Sequence, residues 1–495
     1  MVPFGPYLPD QADLGNPGAT LAKNVLPWTA NTYAPLKALS PVSAALTNRP
    51  QGAASFTQNQ GTVHSFAGDN ENLFKLSTTT WANVSKSSAA YTVATADTVN
   101  FINFGDRVIS VNGLTDPPQT YVMGTSSAFA DLGGTPPRAK TVAVVKDFVV
   151  MGNTYDGTDG IVSNRIWWSA INDPTDWPTI GSADAASKQS DRQDLPVGGE
   201  IMAITGAVGG LDGAVFSKRA IYRLQYVGPP TVFNVLEVER DRGTLAPNSV
   251  VNVGPFGFYL GEEGFYSFTG AGSQPIGDQK VDRYFLQNDL DRNYMHRIYG
   301  AGDPVNRTVW WAYPGVGNSG GRPNKILIYN WAVDRWTTAE IEQEFIYRNL
   351  SIQVTLESLD SYGNIDALGV SLDDPSWIGG QTLLSSFNED KKLAGFTGAP
   401  LAASLETQEI GGTDRIFING VRPYVDGGTV TVTLRHRTGP GDAITETTDN
   451  AVDEDGQAHF TVSTRYARAQ VNIAAGGDWT HAQGVDAEVV PDGAA

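Results

Sequence analysis

No cysteine occurs among the 495 residues. That excludes a disulfide scaffold, a Cys-ligated zinc site and a thiol nucleophile. Long apolar runs are missing too. The nearest to the roughly 18 residues a membrane helix needs is Ile201–Phe216, which is Gly-rich and carries Asp212. The opening MVPFGPYLPD lacks the cationic and apolar regions of a signal peptide, so the expectation is a soluble chain with no export signal of its own. Positive charge is scarce: 34 Lys and Arg stand against 53 Asp and Glu, a net charge of −19. A tight nucleic-acid binder needs cations for phosphate contacts, whereas an acidic surface lets DNA pass without adhering. Helical periodicity is equally thin. Only Gln279–Asp291, with Val281, Phe285, Leu286 and Leu290 apolar, and Ala339–Leu350 read as short helices.

What the chain does have is turns and aromatic residues. It contains 54 Gly and 28 Pro, with aromatics at 10%. Its length exceeds the roughly 250–300 residues one core supports, so several cores or a repeat are expected. Residues 1–50 form a Pro-rich extended arm whose apolar side chains (Phe4, Tyr7, Val25, Trp28, Tyr33, Leu36) are too many for a free tail. After it a strand–turn–strand unit recurs, clearest in RTVWWAYP (Arg307–Pro314) and KILIYNWAVDRWT (Lys325–Thr337). Other copies begin at Thr62, Arg107, Asp147, Gly213 and Phe256, with a weaker one across Ala367–Phe396; each follows a short apolar run such as KTVAVV or IMAIT. Equivalent apolar positions (Phe74, Tyr121, Trp167, Tyr222, Tyr266, Ile328, Leu384) are 44 to 62 residues apart.

A unit of three or four short strands at roughly 50-residue spacing is the pattern of a β-propeller, since a twisted sheet apolar on both faces buries them only between neighbours. The expected class is all-β: a propeller of six or seven blades over residues 51–398, with an array of β-sandwiches as the other reading. The arm is a candidate for the strand that closes the last blade. From about Leu401 the pattern changes to alternating strands around Asp426-Gly427-Gly428, which predicts a C-terminal β-sandwich over residues 399–495.

Several catalytic-looking patterns dissolve on inspection. Gly315–Gly320 fits a dinucleotide fingerprint and Gly317–Gly321 a nucleophile elbow around Ser319, but both need a strand–turn–helix, and here the loop enters a strand through Arg322-Pro323. Ser371, Asp373 and Trp377 make one degenerate Asp box, and Glu262 and Glu263 at a hairpin tip are a poor glycosidase pair. The five histidines lack ligand spacing. Trp167–Trp168 and Trp310–Trp311 point to opposite faces of their strands, as inter-blade packing requires. Arg435, Arg437, Arg465 and Arg468 stand out in an acidic chain as a solvated strand face or a contact patch for an acidic neighbour. The expectation is no catalytic, metal or cofactor site. Subunit or partner contacts are expected instead at Phe4, Tyr7, Trp28, Tyr33 and those four arginines.

The arm carries one more signal. Pro9, Asp10, Gly15, Pro17, Gly18, Ala22, Asn24, Val25 and Pro27 fit a Pro-Asp…Gly-x-Pro-Gly…Ala-x-Asn-Val-x-Pro pattern. With SAINDPTDW (Ser169–Trp177) and YNWAVDRW, it resembles the tail hub or nozzle proteins, the DNA-stabilising tail proteins, of short-tailed bacteriophages. The resemblance covers the arm and the propeller and leaves the C-terminal domain unplaced. It implies a virion protein assembled in the host cytoplasm: a homo-oligomeric ring, typically of six copies, docked below a portal–adaptor complex. Double-stranded DNA would pass through the ring without sequence-specific contacts. The reading from another class is a host-surface propeller that binds or cleaves glycans.

Overall fold

The computed structural model describes residues 1–87, 90–351 and 380–491. Seven four-stranded antiparallel meanders follow one another around a ring. Six are separate sheets, and the sixth blade in chain order (Tyr299–Asp303, Thr308–Tyr313, Lys325–Asn330, Arg335–Glu340) opens a fourteen-stranded sheet. The inner strands are Gly52–Thr57, Asn100–Phe104, Arg138–Val145, Ile201–Thr205, Val251–Val253, Tyr299–Asp303 and Gln343–Leu350. Contacts run from one inner strand to the next, with the Pro247–Ser249 turn touching Ile201–Thr205 at the step from blade four to blade five, and close where Gln343–Leu350 meets Gly52–Thr57. The chain is an all-β propeller.

The blades form because their middle strands are apolar on both faces. Thr308–Tyr313 is buried at all six positions. Trp310 packs on Phe396 of the seventh blade, its neighbour Trp311 on Phe265 of the fifth, with ring centres 4.8 and 4.7 Å apart. Trp167 and Trp168 divide likewise, one in a cluster with Ile109 and Val111 of blade two, the other with Phe233 of blade four. Trp336 lies on Phe265 and Tyr329, and its Nε1 donates to the Ile276 carbonyl at 3.2 Å. Burying each such ring contributes on the order of 2–3 kcal/mol.

The seventh blade is the informative one. Its outermost strand is Ser40–Ala45 from the arm, paired antiparallel with Lys392–Gly395, so the two ends of the propeller are closed by non-local pairing. Its inner strand is where the sequence expectation fails. Ala339–Leu350 is not a helix: it holds the end of Arg335–Glu340 and the whole of Gln343–Leu350. Phe345, Ile346 and Tyr347 are buried in succession, which only a strand pressed between two blades allows. The other expected helix exists in part, over Asp282–Tyr284 and Phe285–Asp289, and ends in a wide turn where Leu290 N–H reaches the Phe285 carbonyl at 2.8 Å. The first half of the weakest repeat copy and the degenerate Asp box lie outside the described residues.

The C-terminal strands are Ala403–Glu406, Ile410–Val425, Val430–Arg437, Thr445–Ala451, Ala458–Ile473 and Ala482–Pro491. Ala458–Ile473 is long enough to serve three partners. Its first half pairs with Ile410–Val425, and its second half carries Ala403–Glu406 on one edge and Val430–Arg437 on the other. These strands form one large sheet that is continuous with blade six, because arm strand Ala22–Lys23 is wedged between Arg335–Glu340 and Ala403–Glu406. One apolar cluster likewise runs from Phe265 and Trp311 through Phe4, Tyr7 and Tyr33 to Val432, Phe460 and Val471. The change of pattern at Leu401 is therefore a change of sheet within one body. No helix among the described residues is long and apolar enough to cross a membrane.

Candidate functional site

Two features of the ring are built from residues far apart in sequence: the end of the bore and the seam that holds the arm. At the bore, the segments leading into the inner strands converge. Asn248, ahead of blade five, donates from Nδ2 to Thr98 Oγ1, ahead of blade two, at 2.8 Å, and to the His296 carbonyl at 3.2 Å. Arg49, ahead of blade one, reaches the Thr95 carbonyl at 2.8 Å and Tyr299 Oη at 3.4 Å. Gln51 Nε2 donates to the carbonyls of Ala94 and Asp97. Blades two and five are three steps apart round the ring, so this hydrogen bond joins lead-in segments from well-separated blades. Beside it, Arg297 and Arg322 hold the buried Glu344 carboxylate. Burial, with Arg49 and Arg297 nearby, lowers the pKa of His296.

The seam begins at Val2 and Pro3, which pair with Val485 and Gly484. The chain then doubles back on itself, with Leu8 N–H on the Ala19 carbonyl and Ala19 N–H on that of Pro6. Gly18 is required there: a Cβ would stand 2.1 Å from the Pro6 oxygen. Asp10 then clasps blade-five connector 276–291. Its backbone N–H donates to the Lys280 carbonyl, and its carboxylate accepts from Arg283 N–H at 3.0 Å and Tyr284 N–H at 2.6 Å, capping the short helix. Under it Asp282 is buried in a cradle of Gly264 and Gly277, where any Cβ would overlap its carboxyl, and it accepts from Phe265 N–H at 3.0 Å. Burial, then Asp10 and Asp278, push its pKa up to about 7. Asn24, at φ 58°, donates to the Ala402 carbonyl and accepts from Glu340 N–H, tying the wedge strand to both neighbours.

Charge completes the seam. Glu406 is fully buried, with Arg435 and Arg468 each 3.0 Å from its Oε1 and Thr20 Oγ1 donating to Oε2 at 2.9 Å. Arg468 also pairs with Asp13 of the arm at 2.7 Å. Arg437 pairs with Glu409, both largely buried, its Nε 2.9 Å from the carboxylate. These partners correct the sequence expectation for three of the four arginines: Arg435, Arg437 and Arg468 serve acids of their own chain, because Glu406, Glu409 and Asp13 reach them first. Arg465 is exposed, with no ion-pair partner among the described residues. Phe4, Tyr7 and Tyr33 are corrected in the same way: they are buried in their own chain's core, and Tyr33 Oη donates to the Gly5 carbonyl at 2.6 Å. Trp28, at the tip of the Val25–Pro27/Tyr33–Pro35 hairpin, stays 49% exposed.

Sequence reasoning missed Asp10, Asp282 and Glu406 as structural charges. Asp10 belongs to the arm pattern already noted, which was the available signal, whereas Glu406 carried none. The Gly315–Gly321 loop joins two strands of blade six, without the helix either motif needs. Glu263 accepts from Tyr266 Oη at 2.9 Å beside an exposed Glu262. An open groove of about 420 Å³ lies between the outer edges of blades four and five, lined by Glu239, Arg240, Arg242 and the Thr269–Gln274 turn. Its arginines are paired with Glu237 and Glu239. The arrangement at bore and seam fastens; among the described residues no cluster of nucleophile and base is assembled in either.

No protein-family model matches the chain, and no curated protein does. Among solved structures, an extracellular domain from B. thetaiotaomicron aligns over 86% of this chain at 10% identity and a TM-score of 0.40, and this chain spans about half (48%) of its length. The WD40 domain of Neurospora crassa Pan2 aligns over 63% of this chain and 89% of its own, at 8% identity and a TM-score of 0.37. A functionally unknown protein from Desulfotomaculum acetoxidans aligns over 61% and 89%, at 14% identity and a TM-score of 0.37. These likenesses are distant, and the propeller assignment rests on the meanders and their ring of contacts.

Proposed function

We propose that the protein is a structural component of a short-tailed phage particle: one copy in a ring that encloses the DNA exit channel and helps retain and release the genome. The supporting observation is where the resemblance residues sit. Asp10, Gly18, Ala22, Asn24 and Val25 are the arm positions that cap, approach or wedge against the body. A shared arm pattern then signifies a shared way of fastening the arm, which is a property of architecture and suits a non-catalytic part. The crossing at the bore favours DNA running between copies, past a chain whose net charge of −19 offers phosphates few cations to hold. The test is mass measurement of the purified protein together with assay of purified particles for the chain. Rings in solution and a fixed copy number in the tail are expected. A strict monomer absent from particles overturns the reading, and sugar release from host polysaccharide, lost on substituting one carboxylate, favours the glycan reading instead.

A further inference from the structure

The arm grips the connector 276–291 on both sides of one buried acid. Gln11 Nε2 donates to the Gln279 carbonyl at 3.3 Å, and Asp10 N–H to that of Lys280 at 3.1 Å. The Asp10 carboxylate takes the N–H groups of Arg283 and Tyr284. Asp282, bracketed by these contacts, is 8% exposed. Its inner side fills the glycine cradle, where a Cβ on Gly264 or Gly277 would stand 2.1 or 2.0 Å from its carboxyl oxygens. The carboxyl therefore has no room to swing inward, away from the arm.

The groups facing Asp282 are mostly of its own sign. The arm contributes Asp10, the connector Asp278 and Lys280, and blade five Tyr266, whose hydroxyl donates to Glu263. Lys280 is turned to Asp334 of blade six, its Nζ 2.6 Å from that carboxylate, and Arg242 lies over the Tyr266 ring. None of Asp10, Asp278 and Asp282 has an ion pair among the described residues. Neighbouring carboxylates sheltered from water do not readily ionise together. Asp10 accepts two N–H bonds and is placed to hold the charge, whereas Asp282 accepts one, from Phe265. The arrangement seats a neutral Asp282 beneath a charged Asp10, in keeping with its raised pKa.

We propose that these two carboxyls make the arm a pH-sensitive latch, which closes over protonated Asp282 and loosens residues 5–20 when Asp282 ionises. Lifting the arm removes the Asp10 charge and opens Asp282 to water, so release gives up a proton to solvent. Docking is then favoured at low pH, and opening rises as pH climbs from about 4 to about 7 and is level above. The inference goes beyond the tail reading and holds for the free chain. Hydrogen exchange of the full-length protein, corrected for the intrinsic pH dependence of amide exchange, tests it. From pH 5 to 7 the opening of residues 5–20 is expected to grow roughly ten- to fiftyfold and to level off by pH 8, while Gly52–Thr57 stays protected. Asp282→Asn, neutral and of the same shape, is expected to flatten the profile. Asp10→Asn leaves the cradle untouched and removes the facing charge, and is expected to move the levelling-off to lower pH. Arm protection independent of pH in the parent overturns the latch, and so does an unaltered slope in Asp282→Asn. An Asp10→Asn profile identical to the parent's, or an arm that exchanges only together with Gly52–Thr57, overturns it as well.

Discussion

The blades and the seam are held together in different ways. Within six of the seven blades each strand pairs with its neighbour in sequence, and the core between blades is rich in aromatic rings. The seam pairs residue 2 with residue 485 and residue 23 with residues 338 and 404, and buries charge: Glu406 between two arginines, Asp282 below Asp10. Local repetition makes blades robust to the loss of any one polar contact. The seam is the place where a few groups hold separate elements at once, so damage there is transmitted to the arm, blade six and the C-terminal sheet together.

That contrast can be broken from either side. The largest loss is expected for Glu406→Ala, which strands Arg435 and Arg468 without their shared carboxylate; removing one partner of a buried pair costs about 3–5 kcal/mol. Thermal unfolding followed by tryptophan fluorescence checks it, and Glu406→Gln, which keeps the shape, is expected to recover only part. Trp336→Ala probes the blades, at about 3–5 kcal/mol for a large core ring. Hydrogen exchange separates the two variants: the first is expected to loosen residues 1–35 and the C-terminal strands together, the second blades five and six.

Asp282 gives the next effect, and it depends on pH. Its folded pKa is near 7 and its unfolded one near the ordinary carboxyl value, so folding takes up a proton between them. Its contribution is therefore most favourable below about pH 4, falls as pH rises to about 7 and is flat above, a loss on the order of 2–4 kcal/mol. Unfolding midpoints measured from pH 5 to 8 are expected to decline, and Asp282→Asn to lose that slope. Asp10→Ala removes the helix cap at about 1 kcal/mol and is expected to raise exchange in residues 5–20 before any other region. Trp28→Ala is expected to leave stability within about 0.5 kcal/mol, since the ring is half exposed.

The same division explains what the sequence showed. Blades were legible because their signals are local: Trp310-Trp311 and Trp167-Trp168 announce strands with two buried faces, and six of the seven inner strands stood out as short apolar runs. The seventh did not, since Phe345-Ile346-Tyr347, flanked by Glu344 and Arg348, mimics helical spacing until the blades on either side cover it. The closing role of the arm was open to inference because a propeller needs one; that its strand is Ser40–Ala45 was not. The seam was hidden in principle. Nothing near Glu406 announces Arg435, Arg468 or Thr20, and Phe4, Tyr7 and Tyr33 look like sticky arm residues when most of the core they join lies more than two hundred positions away.

The direct test of the central reading is an image of the particle's tail at a resolution that separates strands. A ring of these chains is expected, with duplex density running between copies and every propeller bore closed at the Asn248–Thr98 crossing. Duplex density through a propeller bore, or a tail with no such ring, would contradict the account.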